Sequence, residues 1–302
     1  MSTALILTLA LCLDALLGEP RRLWTRLPHP VVLMGRLIDW ADKRFNTAGR
    51  AGRNGLFLAL GLVALGWGAG HLLGALGWGV ELALATALLA HRSLVDHVSQ
   101  VAQALRGSVT EGRRAVARIV GRETAALDGP AVARAAIESA AENASDGIVA
   151  PAFWFLIGGL PGLLIYKLVN TADSMIGHRT PRHRAFGAAS ARLDDLLNLV
   201  PARITGLILA ALSARLSDWR EITDEARRHR SPNAGWAEAA MARAVDTALS
   251  GPRIYDGVPT DDPFIHPGGA RHPDPARIDA AVAVLWRLWA VLVLGSAGIA
   301  LF

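Results

Sequence analysis

The sequence predicts an all-α integral membrane protein, a polytopic bundle with broken or re-entrant helices and a cytoplasmic helical portion. Hydrophobic residues make up 52% of the 302-residue chain and the mean hydropathy is +0.32, which is too apolar for a typical soluble protein. Long apolar stretches recur, and charged, alanine-rich segments of helical period separate them. Because a helix satisfies its own backbone hydrogen bonds, this pattern favours membrane-spanning helices.

The apolar stretches set the expected order of the helices. Residues 3–17 lack a basic leader and a cleavage site, so they indicate a retained first helix rather than a signal peptide. A helical pattern follows over residues 31–45. The run 56–90 has no lysine or arginine and is interrupted by glycines at 76–79, which predicts a transmembrane hairpin whose second half is only marginally long enough to cross. Residues 280–302 predict a last span.

Two central apolar segments contain helix breakers. The stretch 148–169 has three glycines and a proline at 158–162, so two half-helices meeting at a turn fit it as well as a single span does. Broken helices are tolerated where they line a polar cavity, and the acids beside this stretch favour that interpretation. The same expectation applies to residues 199–216, which carry Pro201 and Arg203 near their start.

Two regions of soluble composition interrupt this pattern. Residues 91–146 and 217–278 are predicted to be cytoplasmic helical and loop insertions within a single membrane domain, 1–302, because the basic residues favour the cytoplasmic side. In the second insertion Ser231 is the expected N-cap of a helix that ends near Gly251. The single cysteine excludes a disulfide framework and a cysteine metal cluster.

Acidic and amide side chains repeatedly flank apolar sequence in the middle of the chain. An ionisable group near hydrocarbon costs about 2.5–3.5 kcal/mol, so such groups should have metal, substrate or paired charge to offset that cost. A cap or a salt bridge explains any one group alone, whereas three groups favour a Mg²⁺ site, since Mg²⁺ prefers carboxylates and phosphate oxygens. The three groups are Glu138, Glu142, Asn143 and Asp146; Asn170 and Asp173; and Asp194, Asp195 and Asn198.

Cationic side chains lie near these groups in sequence. Lys167 stands in an apolar run, where it either snorkels to the interface or binds an anion. A predicted helix start at Ser231 and Asn233 offers backbone N–H groups for a phosphate. The remaining cations are His178 and Arg179, Arg192 and Arg203, and Arg227, Arg228 and Arg230.

Acidic metal ligands combined with phosphate-binding cations predict an enzyme that handles a phosphorylated, Mg²⁺-associated substrate at the membrane surface. The sequence contains no Walker-type glycine-rich loop, no GxSxG and no HExxH. The common ATPase, hydrolase and zinc-protease interpretations therefore lack support.

Several long motifs run in one order from Asp14 to Gly257: LDALLGEP, HPVVLMGRLI, VGRET, ESAAENASDGIVAPAFW, YKLVNTADSMIGH, FGAASARLDDLLNLVPARITG, SPNAGWAEAAMA and GPRIYDG. With these motifs the chain resembles the membrane adenosylcobinamide-phosphate synthase family of cobalamin biosynthesis, the CbiB/CobD type. Glu19 stands where the family is expected to have Asp, which is a conservative departure.

This resemblance implies an acid–amine ligase with Mg²⁺ as cofactor and ATP as co-substrate. It would join a propionate carboxylate of adenosylcobyric acid to an aminoalcohol phosphate, aminopropanol phosphate or a relative of it, giving adenosylcobinamide phosphate. The carboxylate would be activated as an acyl phosphate, whose charge metal ions and Lys/Arg side chains stabilise. The resemblance also implies a multi-pass protein of a bacterial inner membrane, with its site facing the cytoplasm.

The expected partners follow from the same resemblance. They are the corrinoid, the aminoalcohol phosphate and the lipid bilayer, with no nucleic acid. A homo-oligomer and association with other membrane enzymes of cobalamin biosynthesis stay open.

The resemblance also implies roles for individual residues. The proton of the attacking amine would be taken by Asp195 or His29. Arg122 would contact a second anionic group. The Mg²⁺–nucleotide ligands would be Glu142, Asp146, Asp173 and Asp194, with Glu138 beside them. The phosphates would be neutralised by Lys167, as a catalytic group, and by Arg179, Arg192 and Arg203. Further substrate contacts would come from Asn143, Asn170, His178, Ser231 and Asn233.

Two other classes of function stay open. A membrane Mg²⁺-dependent transferase of the prenyl or CDP-alcohol type also places Asp/Asn pairs at cytoplasmic helix ends, although its acidic spacings are not reproduced here. A corrinoid-binding transporter or regulator would explain a broken apolar helix with flanking acids. ATP dependence separates the transferase from the ligase, and product formation separates the ligase from the transporter.

Overall fold

The structure, a computed structural model, describes residues 1–20, 24–178, 180–255, 258–260 and 262–302. Its secondary structure is almost wholly helical, which confirms the all-α prediction. The helices, in chain order, are α1 (Thr3–Leu17), α2 (Pro30–Phe45), α3 (Ala51–Gly74), α4 (Trp78–Leu88), α5 (His91–Gly107), α6 (Val109–Val116), α7 (Gly129–Ala144), α8 (Ala150–Ile176), α9 (Ala188–Leu212), α10 (Trp219–Arg228), α11 (Ala234–Ala244) and α12 (Pro275–Ala300).

Short irregular elements complete the described chain. A π turn, Ser145–Val149, joins α7 to α8, and a 3-10 turn, Leu216–Asp218, precedes α10. Two antiparallel pairs of short strands follow α11, and Leu249 lies opposite Ile265 in the first pair. The strands are β1 (Leu249–Ser250), β2 (Arg253–Tyr255), β3 (Val258–Thr260) and β4 (Phe264–Ile265), with β1 paired to β4 and β2 to β3.

Several helical runs have the length and composition of membrane spans, as expected for a helical membrane protein. The 15-residue helix α1 is apolar but shorter than they are. The candidate spans in the described chain are Ala51–Gly74, Gly129–Ile176, Ala188–Leu212 and Pro275–Ala300.

The predicted hairpin is present, but its second half does not have the length of a span. Helix α3 has 24 residues, whereas α4 has 11. At 1.5 Å per residue α4 extends about 16 Å, roughly half of a hydrocarbon core of about 30 Å. The helix is short because Leu89 is already extended, with a ψ of 145°.

The two predicted helix breaks have different outcomes. Helix α8 is broken at Gly159, whose φ of 57° and ψ of −152° are not helical, and Pro161 follows, so the predicted break is confirmed. The prediction for residues 199–216 is wrong. Helix α9 starts earlier, at Ala188, and continues through Pro201 to Leu212.

The described chain folds into two compact units. The first contains residues 1–90, 150–199 and 292–302, and the second contains residues 91–149 and 200–291. Both regions predicted to be insertions belong to the second unit.

In the first unit, α3 packs closely against α8 because small residues let the two backbones approach. A Cβ atom at Gly66 would lie 2.7 Å from the backbone nitrogen of Ile165, and one at Gly70 would overlap the backbone of Pro161. The broken part of α8 is therefore held against a glycine-bearing face of α3, a contact type typical of membrane helices.

In the second unit, the alanine-rich helix α7 contacts α5, α6 and α11. The Asp128 carboxylate caps it by accepting the N–H of Ala131 at 2.8 Å. Ala133, Ala136 and Ala140 are fully buried. Their small side chains allow neighbouring elements to approach the acidic residues of this helix.

Candidate functional site

The predicted site residues form two groups, one in each unit. In the first unit, Asp194 of α9 is 7% exposed and accepts hydrogen bonds from both amides near it. The Nδ2 atom of Asn170 lies 3.2 Å from Oδ1, and that of Asn198 lies 3.0 Å from Oδ2. The hydroxyl of Tyr166 in turn donates to Oδ1 of Asn198 at 3.1 Å. This chain of hydrogen bonds fixes the orientation of the Asp194 carboxylate.

Two more carboxylates belong to this first group. Asp173 and Asp195 both lie close enough to Asp194 for their charges to act on it. Each oxygen of Asp194 keeps a second acceptor position beside the amide that it binds. Asp194, with Asp173 and Asp195 near it, could therefore contribute carboxylate ligands to a Mg²⁺ ion that takes its other ligands from phosphate and water. Among the described residues, no three Asp, Glu, His or Cys side chains are placed to hold a metal ion alone.

Lys167 and His29 lie in the same unit. Lys167 of α8 is 8% exposed, so its ammonium group is buried rather than extended towards solvent. Its charge acts on His29, which precedes α2. Burial lowers the pKa of His29, the charge of Glu19 opposes that shift, and the charge of Lys167 adds to it. His29 is therefore neutral near pH 7.

The hydrogen bonds of His29 give it a structural role. Its Nδ1 atom accepts the N–H of Val31 at 3.2 Å, which caps α2, and its ring also bonds to the backbone of Ala87. The lone pair that would receive a substrate proton is used by the helix cap.

The remaining cations predicted for the first unit lie at its surface. His178 and Arg192 are exposed. Arg179 lies outside the described residues.

In the second unit, Glu138 of α7 is held by two contacts. Its Oε2 atom pairs with Arg122 at 3.0 Å, and its Oε1 atom accepts the N–H of Ser250 at 2.7 Å. Ser250 has a φ of 59°, an uncommon conformation for a residue other than glycine. Both oxygens of Glu138 are thus engaged, so a salt bridge, the alternative left open by the sequence, accounts for this residue.

The other polar residues of α7 have different surroundings. Glu142 and Asn143 are exposed, and the Asn143 amide donates to the carbonyl oxygen of Ser139 at 2.9 Å. Asp146 lies in the π turn, so the α-helical spacing that relates Glu138 to Glu142 does not extend to it. Single π turns inside helices are frequent at functional sites.

Two cavities meet at the same pair of carboxylates. One, of about 260 Å³, and another, of about 210 Å³, are both lined by Glu142 and Glu238. Arg122 and Glu138 line the smaller one, and the larger one reaches the start of α11.

The start of α11 differs partly from its prediction. The Ser231 hydroxyl accepts the N–H groups of Asn233 and Ala234, both at 3.2 Å, as a capping hydroxyl does, but the N-cap residue of α11 is Asn233 and not the predicted Ser231. The predicted helix end near Gly251 is wrong. Helix α11 ends at Ala244, because Asp246 takes a φ of 46° and the chain turns towards β1.

Arg203 of α9 lies near this start. Its Nη1 atom donates to Oδ1 of Asn233 at 3.2 Å, and its guanidinium group lies 4.7 Å from the ring centroid of Trp236. Of the three arginines that precede the helix, Arg228 and Arg230 line the larger cavity, and Arg227 is absent from its lining.

Sequence reasoning missed several residues of this cavity, Glu238 and His229 among them. Glu238 is 4% exposed, and its Oε1 atom lies 3.5 Å from Nε2 of His229. The sequence feature that could have indicated Glu238 is the presence of an acidic residue within the apolar, alanine-rich segment WAEAAMA. No sequence feature distinguished His229, since it lies in a run of charged residues.

A family model described as CobD/Cbib protein matches residues 7–285. The chain belongs to the CobD/Cbib family. This membership confirms the resemblance that the motifs indicated.

Curated relatives of this CobD/Cbib chain cover almost all of it. A "Cobalamin biosynthesis protein CobD" of Brucella suis biovar 1 (strain 1330) is 49% identical over 99% of this chain and 98% of the relative. Proteins of the same name from Rhizobium meliloti (strain 1021) and Rhodobacter capsulatus are 47% and 45% identical, over 98% and 97% of this chain and 97% and 96% of the relatives. No solved structure matches the chain.

The structure of this CobD/Cbib chain divides the predicted metal ligands between the units. Asp173 and Asp194 belong to the first unit, and Glu138, Glu142 and Asp146 belong to the second. Each unit thus carries carboxylates together with cationic side chains.

Proposed function

We propose that this CobD/Cbib protein acts in cobalamin biosynthesis as an ATP- and Mg²⁺-dependent acid–amine ligase. Its reaction would join a propionate carboxylate of adenosylcobyric acid to an aminoalcohol phosphate, such as aminopropanol phosphate, giving adenosylcobinamide phosphate. The names of relatives that align over nearly their whole length support the pathway. The family resemblance of the motifs supports the reaction.

One observation supports a site for Mg²⁺ with nucleotide phosphates: the buried Asp194 lies within range of the charges of Asp173 and Asp195 and is oriented by two amides. Like charges in apolar surroundings repel each other, so a cation stabilises them when it binds. A Mg²⁺ ion that carries nucleotide phosphates fits this need, because Mg²⁺ is usually held by one or two protein carboxylates plus phosphates.

The proposed chemistry has two steps. A carboxylate oxygen of the propionate attacks the γ-phosphorus of ATP, and ADP leaves. The amine nitrogen then attacks the acyl carbon, the C–N bond forms, the bond from carbon to the phosphate oxygen breaks, and inorganic phosphate leaves. The nitrogen gives up a proton to a carboxylate, for which Asp195 is the candidate.

The residues of the chain would bind and orient the reactants. When bound, Mg²⁺ would neutralise charge on the transferring phosphoryl oxygens. The buried ammonium of Lys167 would add positive charge near the phosphates, and Arg192 would bind them at the exposed rim. Asp173 and Asp194 would provide the carboxylate ligands.

The test uses purified full-length protein in detergent, with adenosylcobyric acid, aminopropanol phosphate, Mg²⁺ and ATP. Mass spectrometry detects the amide product. We expect ATP-dependent product from the wild type, a loss of at least about a hundredfold in Asp173→Ala, and wild-type turnover in Asp39→Ala, which removes a half-buried aspartate paired with Lys43. Unchanged turnover in Asp173→Ala would contradict the assignment of the site.

Two results would point to the other classes. Corrinoid binding without product, in wild type and variants alike, would favour a transporter or regulator. Product formation that needs Mg²⁺ but not ATP would favour a transferase.

The proposal includes an orientation: a bacterial inner membrane with the site facing the cytoplasm. A thiol introduced at the exposed Arg220 of α10 in a Cys12→Ser background tests it. We expect a membrane-impermeant maleimide to label this thiol in inside-out vesicles and not in intact spheroplasts. The reverse labelling would contradict the orientation.

A further inference from the structure

An apolar groove lies in the first unit, between α2 and α3. Its cavity has a volume of about 430 Å³, and its lining is almost wholly apolar. The lining positions recur at helical spacing, which places them on one face of each helix. They include Leu37, Trp40 and Phe45 of α2 and Phe57, Gly61 and Leu65 of α3.

The groove lies along a helix that has the length and composition of a membrane span. Helix α3, Ala51–Gly74, is one of the candidate spans. Trp40 and Phe57 are 56% and 62% exposed, so both walls of the groove present large apolar side chains outside the protein. From Asn54 to Leu65 the lining extends about 16 Å at 1.5 Å per residue, about half of a hydrocarbon core of about 30 Å. The groove thus has about the length of one bilayer leaflet.

Three arginines stand at one end of the groove. Arg44 lies four residues after Trp40, on the same face of α2. Arg50 is the N-cap residue of α3, and Arg53 lies in its first turn. All three arginines are exposed, and none of the ion pairs within the described chain involves them.

The acidic residues nearest to these arginines in sequence pair with other cations. The Asp39 carboxylate pairs with Lys43, and the Asp42 carboxylate pairs with Arg182. The end of the groove therefore keeps an excess of positive charge. Basic clusters beside a membrane helix attract anionic lipid headgroups, and a guanidinium group matches the geometry of phosphate oxygens.

The groove is formed at its cationic end and open along its length. The amide of Asn54 donates to the backbone carbonyl oxygen of Phe45 at 2.8 Å, which ties the start of α3 to the end of α2. Further along, a Cβ atom at Gly61 would meet no atom within 4 Å. An acyl chain can therefore lie in the groove without displacing protein atoms.

We propose that this groove binds one anionic phospholipid, with an acyl chain between α2 and α3 and the phosphate at Arg44, Arg50 and Arg53. The apolar walls match the chain, and the cations at one end match the headgroup. A second copy of the protein fits less well. Two copies in one membrane share an orientation, so a symmetric pair would bring like charges to the same depth. The site does not depend on the proposed reaction.

Native mass spectrometry of the full-length protein, purified in detergent and freed of lipid, tests the proposal with phosphatidylglycerol and phosphatidylcholine of identical acyl chains. The wild type should bind one phosphatidylglycerol about tenfold or more tightly than phosphatidylcholine, since the two headgroups differ in net charge. Arg50→Gln combined with Arg53→Gln should remove most of this preference and leave the affinity for phosphatidylcholine unchanged. Gly61→Trp should weaken the binding of both lipids by about tenfold or more, because the indole would occupy the groove.

Matched controls make the same changes outside the groove. Gly68→Trp adds the same side chain at an exposed position of α3 that does not line the groove. Arg114→Gln combined with Arg220→Gln removes two exposed arginines of the second unit. Both controls should keep the wild-type affinities for the two lipids.

Three results would overturn the proposal. Equal affinities of the wild type for the two lipids would do so without reference to any variant, so a folding defect cannot rescue it. An equal loss of preference in both double arginine variants would show that the net charge of the protein, and not the groove, attracts the lipid. A wild-type dimer that carries no lipid and dissociates in Gly61→Trp would show that the groove is an interface between two copies.

Discussion

The indole nitrogen of Trp154 donates a hydrogen bond of 3.1 Å to the carbonyl oxygen of Leu197. Pro201 follows four residues later in α9 and has no N–H to give to that carbonyl. A proline inside a helix normally leaves this acceptor free, which is costly in apolar surroundings. The side chain of α8 supplies the missing donor, so α9 continues as a helix through the proline.

Replacing Trp154 with Phe should therefore destabilise the protein by about 1 kcal/mol, because the carbonyl oxygen of Leu197 loses the donor that stands in for the missing N–H of Pro201. In a Pro201→Ala background, Trp154→Phe should lower the free energy of unfolding by clearly less. There the N–H of the alanine can donate to the carbonyl oxygen of Leu197. Unfolding of the four variants in a detergent titration measures the difference. Equal costs in both backgrounds would show that the bond does not compensate for the proline.

Close packing of α3 on α8 leads to a second expectation. A methyl group at Gly70 would overlap the backbone of Pro161, whereas one at Gly68 would meet no atom within 4 Å. Gly70→Ala should lower stability by about 1–3 kcal/mol through overpacking. Gly68→Ala, on the same helix, should be neutral or slightly stabilising, because alanine is the better helix former. Thermal unfolding of the two variants compares them, and similar midpoints would contradict the packing argument.

The sequence anticipated features that depend on local chemistry. The break at Gly159 was predictable because glycine tolerates a φ of 57° and a proline follows it closely. The capping contacts of the Ser231 hydroxyl were predictable because this hydroxyl acts on the next turn of its own chain. Both features are determined within a few residues.

Features that depend on distant contacts were not predictable from the pattern. The donor that replaces the missing N–H of Pro201 in α9 is the indole of Trp154, which lies on another helix. Glu238 lines a cavity together with a residue of α7, and the carboxylate of Glu138 accepts an N–H from β1. Both contacts join elements that are distant in sequence. A sequence pattern shows that acids are present, but only tertiary structure shows which are already paired.

We expect the stability of the folded protein to decrease at acid pH because of His91, the first residue of α5. It is fully buried, and its ring centroid lies 4.7 Å from that of Trp286 and 6.0 Å from that of Trp289. Burial, with a smaller effect of the Arg92 charge, lowers the pKa of His91 from 6.5 to about 4. The unfolded chain therefore binds a proton at a higher pH than the folded protein does.

Stability should fall as the pH drops from 6.5 towards 4, by at most about 1.4 kcal/mol per pH unit from this group. Well above pH 6.5 the group is neutral in both states and contributes no slope. Chemical unfolding of His91→Phe between pH 7 and pH 5 should show a smaller slope than the wild type. An equal slope in His91→Phe and in the wild type would contradict the assignment.

The ion pair between Arg122 and Glu138 should be strongly coupled, because the two side chains are only 12% and 8% exposed. Arg122→Met should cost about 3–5 kcal/mol, since it leaves the carboxylate buried without its cation. Glu138→Gln should cost less in the Arg122→Met background than in the wild type. A double-mutant cycle measured by unfolding tests this, and additive effects would show that the two residues act independently.

Tyr166→Phe should lower the turnover of the proposed ligase by about tenfold and raise the Mg²⁺ concentration needed for half-maximal activity. The fully buried Tyr166 hydroxyl orients the Asn198 amide, and that amide donates to the Asp194 carboxylate. Trp154→Phe is the matched control, because it also removes one hydrogen bond between α8 and α9 but does not touch Asp194. Both variants should lose similar stability, so a Mg²⁺ requirement raised only in Tyr166→Phe separates a positioning role from a general weakening of the helix pair. If the two variants shift the Mg²⁺ dependence equally, the hydrogen-bond chain from Tyr166 to Asp194 has no specific part in the reaction.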